Sequence, residues 1–543
     1  MNLNYKKQHC IGVDGTRIFD YLDRWAANYP DLEAIVDVNH RLTWAQYKKM
    51  VDRLALNFLE LGIKKGDVVT AQLPNSVEFC CITMALSRIG AIMNPVVMPW
   101  RQFEIDYVLE LTEPVVVIVP VEYNGFHYAK MMSELQGKHK SIKHLIVINT
   151  KEKPFEGCIL FNDLWNNRLE EKYPEDYFKQ FDISADDIIT VCMSSGTEAS
   201  PKGVPRTHNN WKTASRAYML HWYYNINDVV LIVLPLANLF ALQTGLFPNI
   251  NTRQKLVILD GFDVEKVAKL IEQEKVTVFP GVPVMNLTLL NMPGIEKYDT
   301  SSLRLIVAGG APTPPSILIQ IMEKFKCDVV NGYGSSEGTW LATHVGQTVL
   351  ETSETIGPDP IFYECKVLDD DGNEVPAGQM GELAFRGPGV VTHYYKRPDL
   401  DKKSFTKDGF FLSGDLGYLG EDGNYRFGTR KKDLIIRGGM NISPEEIENI
   451  VVKHPKVSNV AAVGMPDERM GEEVCIFVEK KEDATDLTLD EIKKFMEENG
   501  VAKYKWPRRI ELIKALPRNP TGKVLKYTLR DELAKKLEIE KRK

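Results

Sequence analysis

Short apolar segments recur through the first part of this 543-residue chain, and helical stretches separate them. Such segments are typical of strands in parallel sheets that are buried on both faces. The clearest helix runs from Thr43 to Leu61, with Thr43 as its N-cap and Gly62 just past its end. The pattern predicts an α/β fold. The predicted strands are 68–73, 115–119, 144–148, 229–234, 255–259, 276–279 and 303–308.

The pattern changes near residue 355. Shorter, turn-rich β segments follow and predict a β subdomain of about residues 355–429. A basic cluster at 430–433 comes next, and we place a domain boundary there. The last part, 434–543, alternates helix, strand, strand and helix, which predicts a small α+β domain.

Composition excludes several classes of partner. The formal net charge of −7 gives no basic surface for nucleic acid. Eight cysteines without a CxxC pair indicate reduced core thiols rather than disulfides or metal ligands. No apolar run has the length of a membrane span, and the first residues lack the apolar segment of a signal peptide. We therefore predict a cytoplasmic protein with no nucleic-acid and no integral-membrane partner.

A hydroxyl- and glycine-rich segment follows the apolar run 188–193. Small residues let backbone N–H groups approach an anion, hydroxyls donate to phosphate oxygens, and a lysine adds positive charge. The segment is not a Walker P-loop, because its lysine lacks the preceding glycine and the following Ser or Thr. It predicts a phosphate-binding loop, although a plain surface turn has a similar composition. The candidate residues are Ser194, Ser195, Gly196, Thr197 and Lys202.

Further candidates lie at strand ends or in turns, where α/β proteins place ligand contacts. A glycine turn after strand 303–308 lets a planar base approach the backbone, and it equally fits a simple strand-to-helix turn. The segment 331–337 offers a ring, hydroxyls and one carboxylate, which suffices for Mg²⁺ because this ion keeps water and phosphate ligands. The residues are Gly309, Gly310, Ala311 and Pro312, followed by Asn331, Gly332, Tyr333, Gly334, Ser335, Ser336 and Glu337.

Polar residues nearer the C-terminus complete the set. Asp415, in a Ser-Gly-Asp turn, can bind a ribose diol. Arg430 and Lys432 belong to the basic cluster, and Lys523 lies on a loop that contains Pro and Gly. Taken alone, these segments also fit a plain turn, a solvated charge run and a loop without a function.

Together and in this order, the six motifs resemble those of the adenylate-forming superfamily of acyl-CoA synthetases, nonribosomal adenylation domains and luciferases. The resemblance covers nearly the whole chain. It implies a large N-terminal domain (1–429) of two α/β subdomains plus the β subdomain, and a small mobile C-terminal domain (434–543) that rotates at a hinge, 430–433. It also implies a reaction in which a carboxylate and ATP form acyl-AMP, whose acyl group passes to a thiol.

The resemblance implies a role for each motif. The loop from Ser194 to Lys202 would hold the β- and γ-phosphates, and Ser336 would contact the α-phosphate. The turn 309–312 and Tyr333 would line the adenine. Glu337 would bind Mg²⁺, and Asp415 and Arg430 would contact the ribose. Lys432 would be the hinge, and Lys523 the adenylation lysine. The CoA tunnel would be bordered by Arg437, Gly438 and Gly439.

Two segments bear on the acyl substrate. Pro205-Arg206-Thr207-His208 and the segment 235–240 resemble the aryl-acid adenylating branch, but Leu239 stands where that branch has an Asn that contacts a hydroxylated ring. Losing this polar contact argues against a dihydroxybenzoate substrate. We predict a compact apolar pocket, although core packing explains the same residues equally well. They are Asn238, Phe240, Gly281, Val282 and Pro283.

The sequence therefore predicts an ATP-dependent, AMP-forming carboxylic acid–CoA ligase for a cyclic, aromatic or short-to-medium-chain acid, with ATP, Mg²⁺ and coenzyme A as cofactors and co-substrates. One alternative is an adenylating enzyme that loads a carrier-protein phosphopantetheine. Another is a nucleotide-binding regulator without catalysis. The oligomeric state, monomer or homodimer, stays open.

Overall fold

The computed structural model describes residues 14–194, 201–310, 313, 315–437, 440–467, 469–482, 484, 486–499, 501, 503–518 and 522–541. The chain forms two compact units. The first unit comprises Met1–Glu364 and Phe385–Phe411, and the second comprises Cys365–Ala384 and Leu412–Lys543. The domain limits predicted above stay a prediction.

Two sheets form the framework of the first unit. One has eight strands in the order β15-β14-β13-β12-β10-β11-β1-β2, and the other has seven in the order β7-β6-β5-β3-β4-β8-β9. Apart from the edge pairs β1–β2, β14–β15 and β8–β9, the strand pairs are parallel. The predicted α/β class is confirmed. The strands are β1 (Glu33–Val36), β2 (Arg41–Thr43), β3 (Val68–Ala71), β4 (Ile92–Pro95), β5 (Val116–Pro120), β6 (His144–Ile148), β7 (Ile159–Leu160), β8 (Ile188–Ser194), β9 (Lys202–Thr207), β10 (Val229–Ile232), β11 (Lys255–Ile258), β12 (Val278–Gly281), β13 (Leu305–Gly309), β14 (Asp328–Gly334) and β15 (Trp340–Ala342).

Helices separate most of these strands. The predicted N-cap is confirmed: the Thr43 hydroxyl accepts a hydrogen bond from the Gln46 backbone N–H, and the Gln46 side chain accepts one from the Thr43 N–H. The helices are α1 (Ile18–Asn28), α2 (Trp44–Glu60), α3 (Val77–Arg88), α4 (Gln102–Thr112), α5 (Tyr128–Lys138), α6 (Phe161–Asn166), α7 (His208–His221), α8 (Leu239–Ala241), α9 (Phe247–Thr252), α10 (Val264–Glu274), α11 (Pro283–Leu290), α12 (Pro315–Phe325), α13 (Val349–Glu354) and α14 (Pro398–Ser404).

The second unit holds most of a four-stranded sheet, β16-β17-β18-β19, and a further sheet, β21-β20-β23-β22, in which β24 also pairs with β23. The helix, strand, strand and helix predicted for the C-terminal part are confirmed. The elements are β16 (Glu364–Leu368), β17 (Gly381–Arg386), β18 (Phe411–Leu419), β19 (Tyr425–Arg430), β20 (Ile435–Arg437), β21 (Met440–Ile442), α15 (Pro444–Val451), β22 (Val457–Asp467), β23 (Gly471–Lys480), α16 (Leu489–Glu498), β24 (Arg509–Leu512) and α17 (Lys526–Lys541).

The cysteines of the described residues are buried, as predicted for core thiols, and Cys10 lies outside those residues. Burial raises the pKa of the Cys192 thiol to about 11 and those of Cys327 and Cys475 to about 12. Within the described parts of the chain, no helix combines the length and apolar character needed to cross a membrane.

Candidate functional site

The parallel strands β12, β13 and β14 bring three predicted segments to one sheet edge. In the register of this sheet Gly281 pairs with Ala308, and Gly309 pairs with Gly332. Because the carboxyl ends of parallel strands lie at the same edge, the acyl-pocket and adenine candidates become neighbours.

The glycine turn after β13 contacts two of the predicted acyl-pocket residues. A Cβ added at Gly309 would lie 2.9 Å from Phe240 Cζ, and one added at Gly310 would lie 3.3 Å from Val282 Cγ1. Gly310 also has a φ of +82°, which favours glycine. The two side chains thus pack against the backbone of this turn, although Gly310 itself is exposed. Ala311 and Pro312 lie outside the described residues.

The remaining pocket candidates are arranged around helix ends. The Asn238 carboxamide oxygen accepts from the Phe240 N–H (3.2 Å) at the start of α8, where both residues are half-buried and Leu239 is buried. Pro283 is the first residue of α11, where a missing N–H costs no hydrogen bond.

The segment 331–337 runs from the end of β14 into a tight turn. The Tyr333 ring stacks on Phe385 at 6.0 Å with an interplanar angle of 22°. The Ser335 backbone N–H donates to the Thr339 carbonyl (3.3 Å), and the Thr339 hydroxyl donates to the Ser335 hydroxyl (2.9 Å). Ser336 is half-buried.

Glu337 and Lys202, which the motifs assign to metal and phosphate binding, both contact the same tyrosine, Tyr394. The Tyr394 hydroxyl donates to Glu337 Oε1 (2.8 Å), and the Lys202 ammonium lies 5.2 Å from the centre of the Tyr394 ring. Burial and the Glu337 charge raise the pKa of Tyr394, so it stays a donor. A carboxylate has further acceptor positions, so the group fits a hydrated Mg²⁺.

The two ends of the phosphate-loop candidate, Ser194 and Lys202, are described. Strand β8 ends at Ser194, which pairs with Lys202 across the antiparallel β8–β9 ladder, and the Lys202 backbone N–H donates to the Ser194 hydroxyl (3.4 Å). Ser195, Gly196 and Thr197 lie outside the described residues.

In the second unit, Asp415 and Arg430 face each other across the β18–β19 pair, with 3.4 Å between the carboxylate and guanidinium. Lys523 is half-buried, and the charges of Arg430 and Asp415 act on its ammonium group. Burial, followed by the positive charge of Arg430, lowers the pKa of Lys523 to about 8, and Asp415 acts in the opposite direction. The sequence could not show that Lys523 reaches the ribose candidates, and the structure brings them together.

The hinge candidate Lys432 is exposed in a single 3₁₀ turn, Lys431–Asp433. The residues on either side of it contact different parts of the unit. The Lys431 ammonium donates to Asp370 (2.8 Å), and the Asp433 carboxylate accepts from Arg530 (2.9 Å) on α17.

The CoA-tunnel candidate Arg437 is paired inside its own sheet. Its Nε lies 2.7 Å from Glu473, and its Nη1 donates to the Tyr504 carbonyl (2.5 Å). Gly438 and Gly439 lie outside the described residues.

The described residues contain one group of three potential metal-binding side chains, and it does not include Glu337. It consists of Asp37, His40 and Glu78. The His40 imidazole lies 3.4 Å from Asp37 and 3.7 Å from Glu78. The adjacent Asp37 carboxylate and the nearby Glu78 raise the pKa of His40, which is typical of an imidazolium between two carboxylates.

Sequence reasoning missed Tyr394 and Phe385, which contact Glu337 and Tyr333. Both are far along the chain from their partners, and neither stands in a motif that would mark it. Only the folded structure identifies them.

Among the described residues, the glycine turn and the buried Glu337 carboxylate lie at or just beyond the carboxyl ends of neighbouring parallel strands, which is typical of α/β proteins that bind ligands at this edge. The profile described as AMP-binding enzyme matches residues 22–395, and that of the AMP-binding enzyme C-terminal domain matches 446–523. This chain belongs to the AMP-binding enzyme family, in the adenylate-forming superfamily, as the motifs predicted. The predicted enzyme class, an AMP-forming acid ligase, is confirmed at this level.

Relatives match along nearly their whole length. The chain is 31% identical to a 2,3-dihydroxybenzoate-AMP ligase of Bacillus subtilis, covering 98% of this chain and 96% of the relative. It is 30% identical to a medium-chain fatty-acid–CoA ligase of Escherichia coli, covering 98% and 93%. The ATP-bound crystal structure of MatB from Rhodopseudomonas palustris superimposes with a TM-score of 0.84 at 26% identity, over 95% of this chain and 99% of that one.

A substitution at Gly338, the residue directly after Glu337, tests how closely the turn is packed. Its φ is +91°, and an added Cβ would collide with the Gly389 carbonyl and with Arg206. Gly346→Ala is the matched control, because Gly346 has a φ of +84° with no atom near the added Cβ. We expect the control to lose about 1–2 kcal/mol of unfolding free energy from backbone strain. Gly338→Ala should lose a further ~1–3 kcal/mol from overpacking. Urea denaturation measures both, and equal losses would contradict the packing described here.

The environment of Lys523 gives a pH prediction. In the protein without nucleotide, competitive acetylation followed by mass spectrometry should give Lys523 a reactivity midpoint near pH 8. Arg430→Gln should raise this midpoint, because it removes a positive charge, and Asp415→Asn should lower it. Lys526 is the internal control: burial lowers its pKa, but Glu448 and Glu445 more than offset this, so its pKa is raised. A midpoint for Lys523 equal to that of exposed lysines would show that burial and the Arg430 charge do not lower its pKa.

Proposed function

We propose that this protein is an ATP-dependent carboxylic acid–CoA ligase that works through an acyl-adenylate. The proposal is supported above all by the contacts of Tyr394, whose hydroxyl donates to Glu337 and whose ring lies near the Lys202 ammonium. Through this tyrosine the phosphate-loop cation and the candidate metal carboxylate are close to each other. The relatives with acid–AMP and acid–CoA ligase names support the same reaction class.

The chemistry requires charge neutralisation more than acid–base catalysis. A carboxylic acid is ionised at pH 7 and attacks the α-phosphate without a general base. In the proposal Lys523 offsets negative charge at that phosphate, Ser336 donates to it, and the loop from Ser194 to Lys202 holds the leaving pyrophosphate. Mg²⁺, when bound at Glu337, supplies further neutralisation of phosphate charge.

Binding roles follow the placement of the other residues. The turn at Gly309 and Tyr333 take the adenine, and Asp415 and Arg430 take the ribose. The thiol of CoA has a pKa near about 8.5, so positioning replaces a dedicated base in the second step. Arg437 borders the path of CoA after rotation at Lys432, and a cytoplasmic location goes with these soluble substrates.

The acyl substrate in this proposal is a cyclic, aromatic or short-to-medium-chain acid. Phe240 and Val282 cover the glycine turn, which supports a compact pocket beside the nucleotide. The ligand of the Bacillus relative, a dihydroxybenzoate, is disfavoured here because Leu239 is buried and offers no polar contact.

Carboxylate-dependent exchange of labelled pyrophosphate into ATP, measured over a panel of acids, tests the function. Release of AMP stimulated by CoA supports the ligase, whereas stimulation only by a phosphopantetheinylated carrier protein supports the carrier-loading alternative. Absence of exchange with every acid supports a nucleotide-binding regulator.

Lys523→Ala should separate the two half-reactions. Removing a positioned charge from the transition state should slow acyl-AMP formation by a factor on the order of 10². Thioester formation from supplied acyl-AMP and CoA should be retained. Lys514→Ala, an exposed lysine of the same unit, should leave both unchanged. An equal decrease in both half-reactions would assign Lys523 a structural role.

Phe240→Ala should change acid preference. Removing the ring beside Gly309 enlarges the pocket, so kcat/KM for bulkier acids relative to smaller ones should rise, on the order of tenfold. Phe103→Ala is the control, because Phe103 is 81% exposed. The same ranking of acids for wild type and Phe240→Ala would place the pocket elsewhere.

A further inference from the structure

Arg206 lies in β9 with a side chain that is fully buried (0% exposed). None of its three guanidinium nitrogens has a hydrogen-bond partner among the described residues. Arginine stays charged and carries five N–H donors, so burying it without partners is costly. An apolar residue would fill this buried position at lower cost, so the arginine indicates a role for its charge.

One face of the Arg206 guanidinium packs on an aromatic ring. Its central carbon lies 4.7 Å from the centre of the Trp211 ring, which stacks on Phe247 at 4.0 Å. The Trp211 indole N–H donates to Thr190 (3.0 Å), which fixes the ring. This cation–π contact holds the arginine but uses none of its N–H groups.

The other side faces the Glu337 turn. Residues at alternate positions of a strand share a face, so Lys202 and Arg206 lie on the same face of β9. There Lys202 meets Tyr394, the hydrogen-bond partner of Glu337, and Arg206 Nη1 lies against Gly338, the next residue after Glu337. The two cations of β9 therefore flank the Tyr394–Glu337 pair.

The charges agree with this placement. Burial lowers the pKa of Arg206, and four groups act in the opposite direction: Tyr363, Cys192, Tyr218 and Glu337. Of these four, Glu337 is the carboxylic acid, and the others are two phenols and a thiol. Arg206 therefore offsets the Glu337 charge without occupying its oxygens through a hydrogen bond.

We propose that Arg206 is a positioning residue that balances the charge of Glu337, so that the turn favours a divalent cation arriving with ATP over the free cation. The inference rests on the proposed function. A fixed positive charge repels a free divalent cation and attracts ATP, and the metal–ATP complex is still an anion. Because Arg206 is buried, salt screens this effect weakly.

The test compares Arg206→Met, which keeps side-chain length and removes the charge, with Arg206→Lys, which retains a charge. Arg206→Met should bind ATP in EDTA more weakly and Mn²⁺ without nucleotide more tightly, each by a factor on the order of tenfold. Titration calorimetry measures the first affinity, and electron paramagnetic resonance of free Mn²⁺ measures the second. Arg206→Lys should shift both affinities less, in the same directions.

Thermal unfolding separates this role from a structural one. Arg206 forms no hydrogen bond with Glu337, so the melting temperature of Arg206→Met should fall less than that of a variant that breaks a hydrogen-bonded buried ion pair. Lys212→Met is the matched control, because Lys212 is fully buried but partnered by Asp14 (2.6 Å). The control should melt at a lower temperature and should not shift the two affinities in opposite directions.

Unchanged affinities in Arg206→Met, or two affinities that weaken together, would overturn the proposal. The proposed function is judged separately, by acid-dependent pyrophosphate exchange in the wild-type protein. Exchange in the wild type without opposite shifts in Arg206→Met refutes the role of Arg206 alone, whereas a wild type without exchange refutes the ligase assignment.

Discussion

The parallel pairing of β12, β13 and β14 is the constraint on which the first-unit site depends. Parallel strands must return to the same starting edge, so every carboxyl end emerges on one side of the sheet. Gly281, Gly309 and Gly332 are neighbours for this reason, although they are far apart in sequence. The turn that carries Glu337 continues directly from the last of these strands, so its position is set by the sheet rather than by the loop.

Local patterns were sufficient to predict the framework. The strand at 144–148 has the predicted ends, and Thr43 caps its helix as predicted, because both depend on neighbouring residues. The motifs also identified the family, since their order along the chain is specific. The partners of the motif residues were not predictable. Tyr394 contacts Glu337 through a bond between residues 57 positions apart, and nothing in the local sequence distinguishes it from an ordinary core tyrosine.

The candidate cations of this protein are held in different ways. Lys523 is half-buried beside Arg430, so its ammonium is partly destabilised before any ligand arrives. Lys202 lies over an aromatic ring, and Arg206 stacks on another. Aromatic faces hold a cation without consuming its donors or neutralising its charge. In the proposed function, Lys202 and Arg206 therefore keep their positive charge available for a highly charged nucleotide.

The buried cysteines have a consequence for an enzyme that handles a thiol. A thiol exchanges with disulfides only as the thiolate, and a pKa of about 11 at Cys192 leaves a thiolate fraction on the order of 10⁻⁴ at pH 7. Cys327 and Cys475 ionise even less. Oxidised CoA, the disulfide of the co-substrate in the proposed function, would therefore find no reactive sulfur at these three positions.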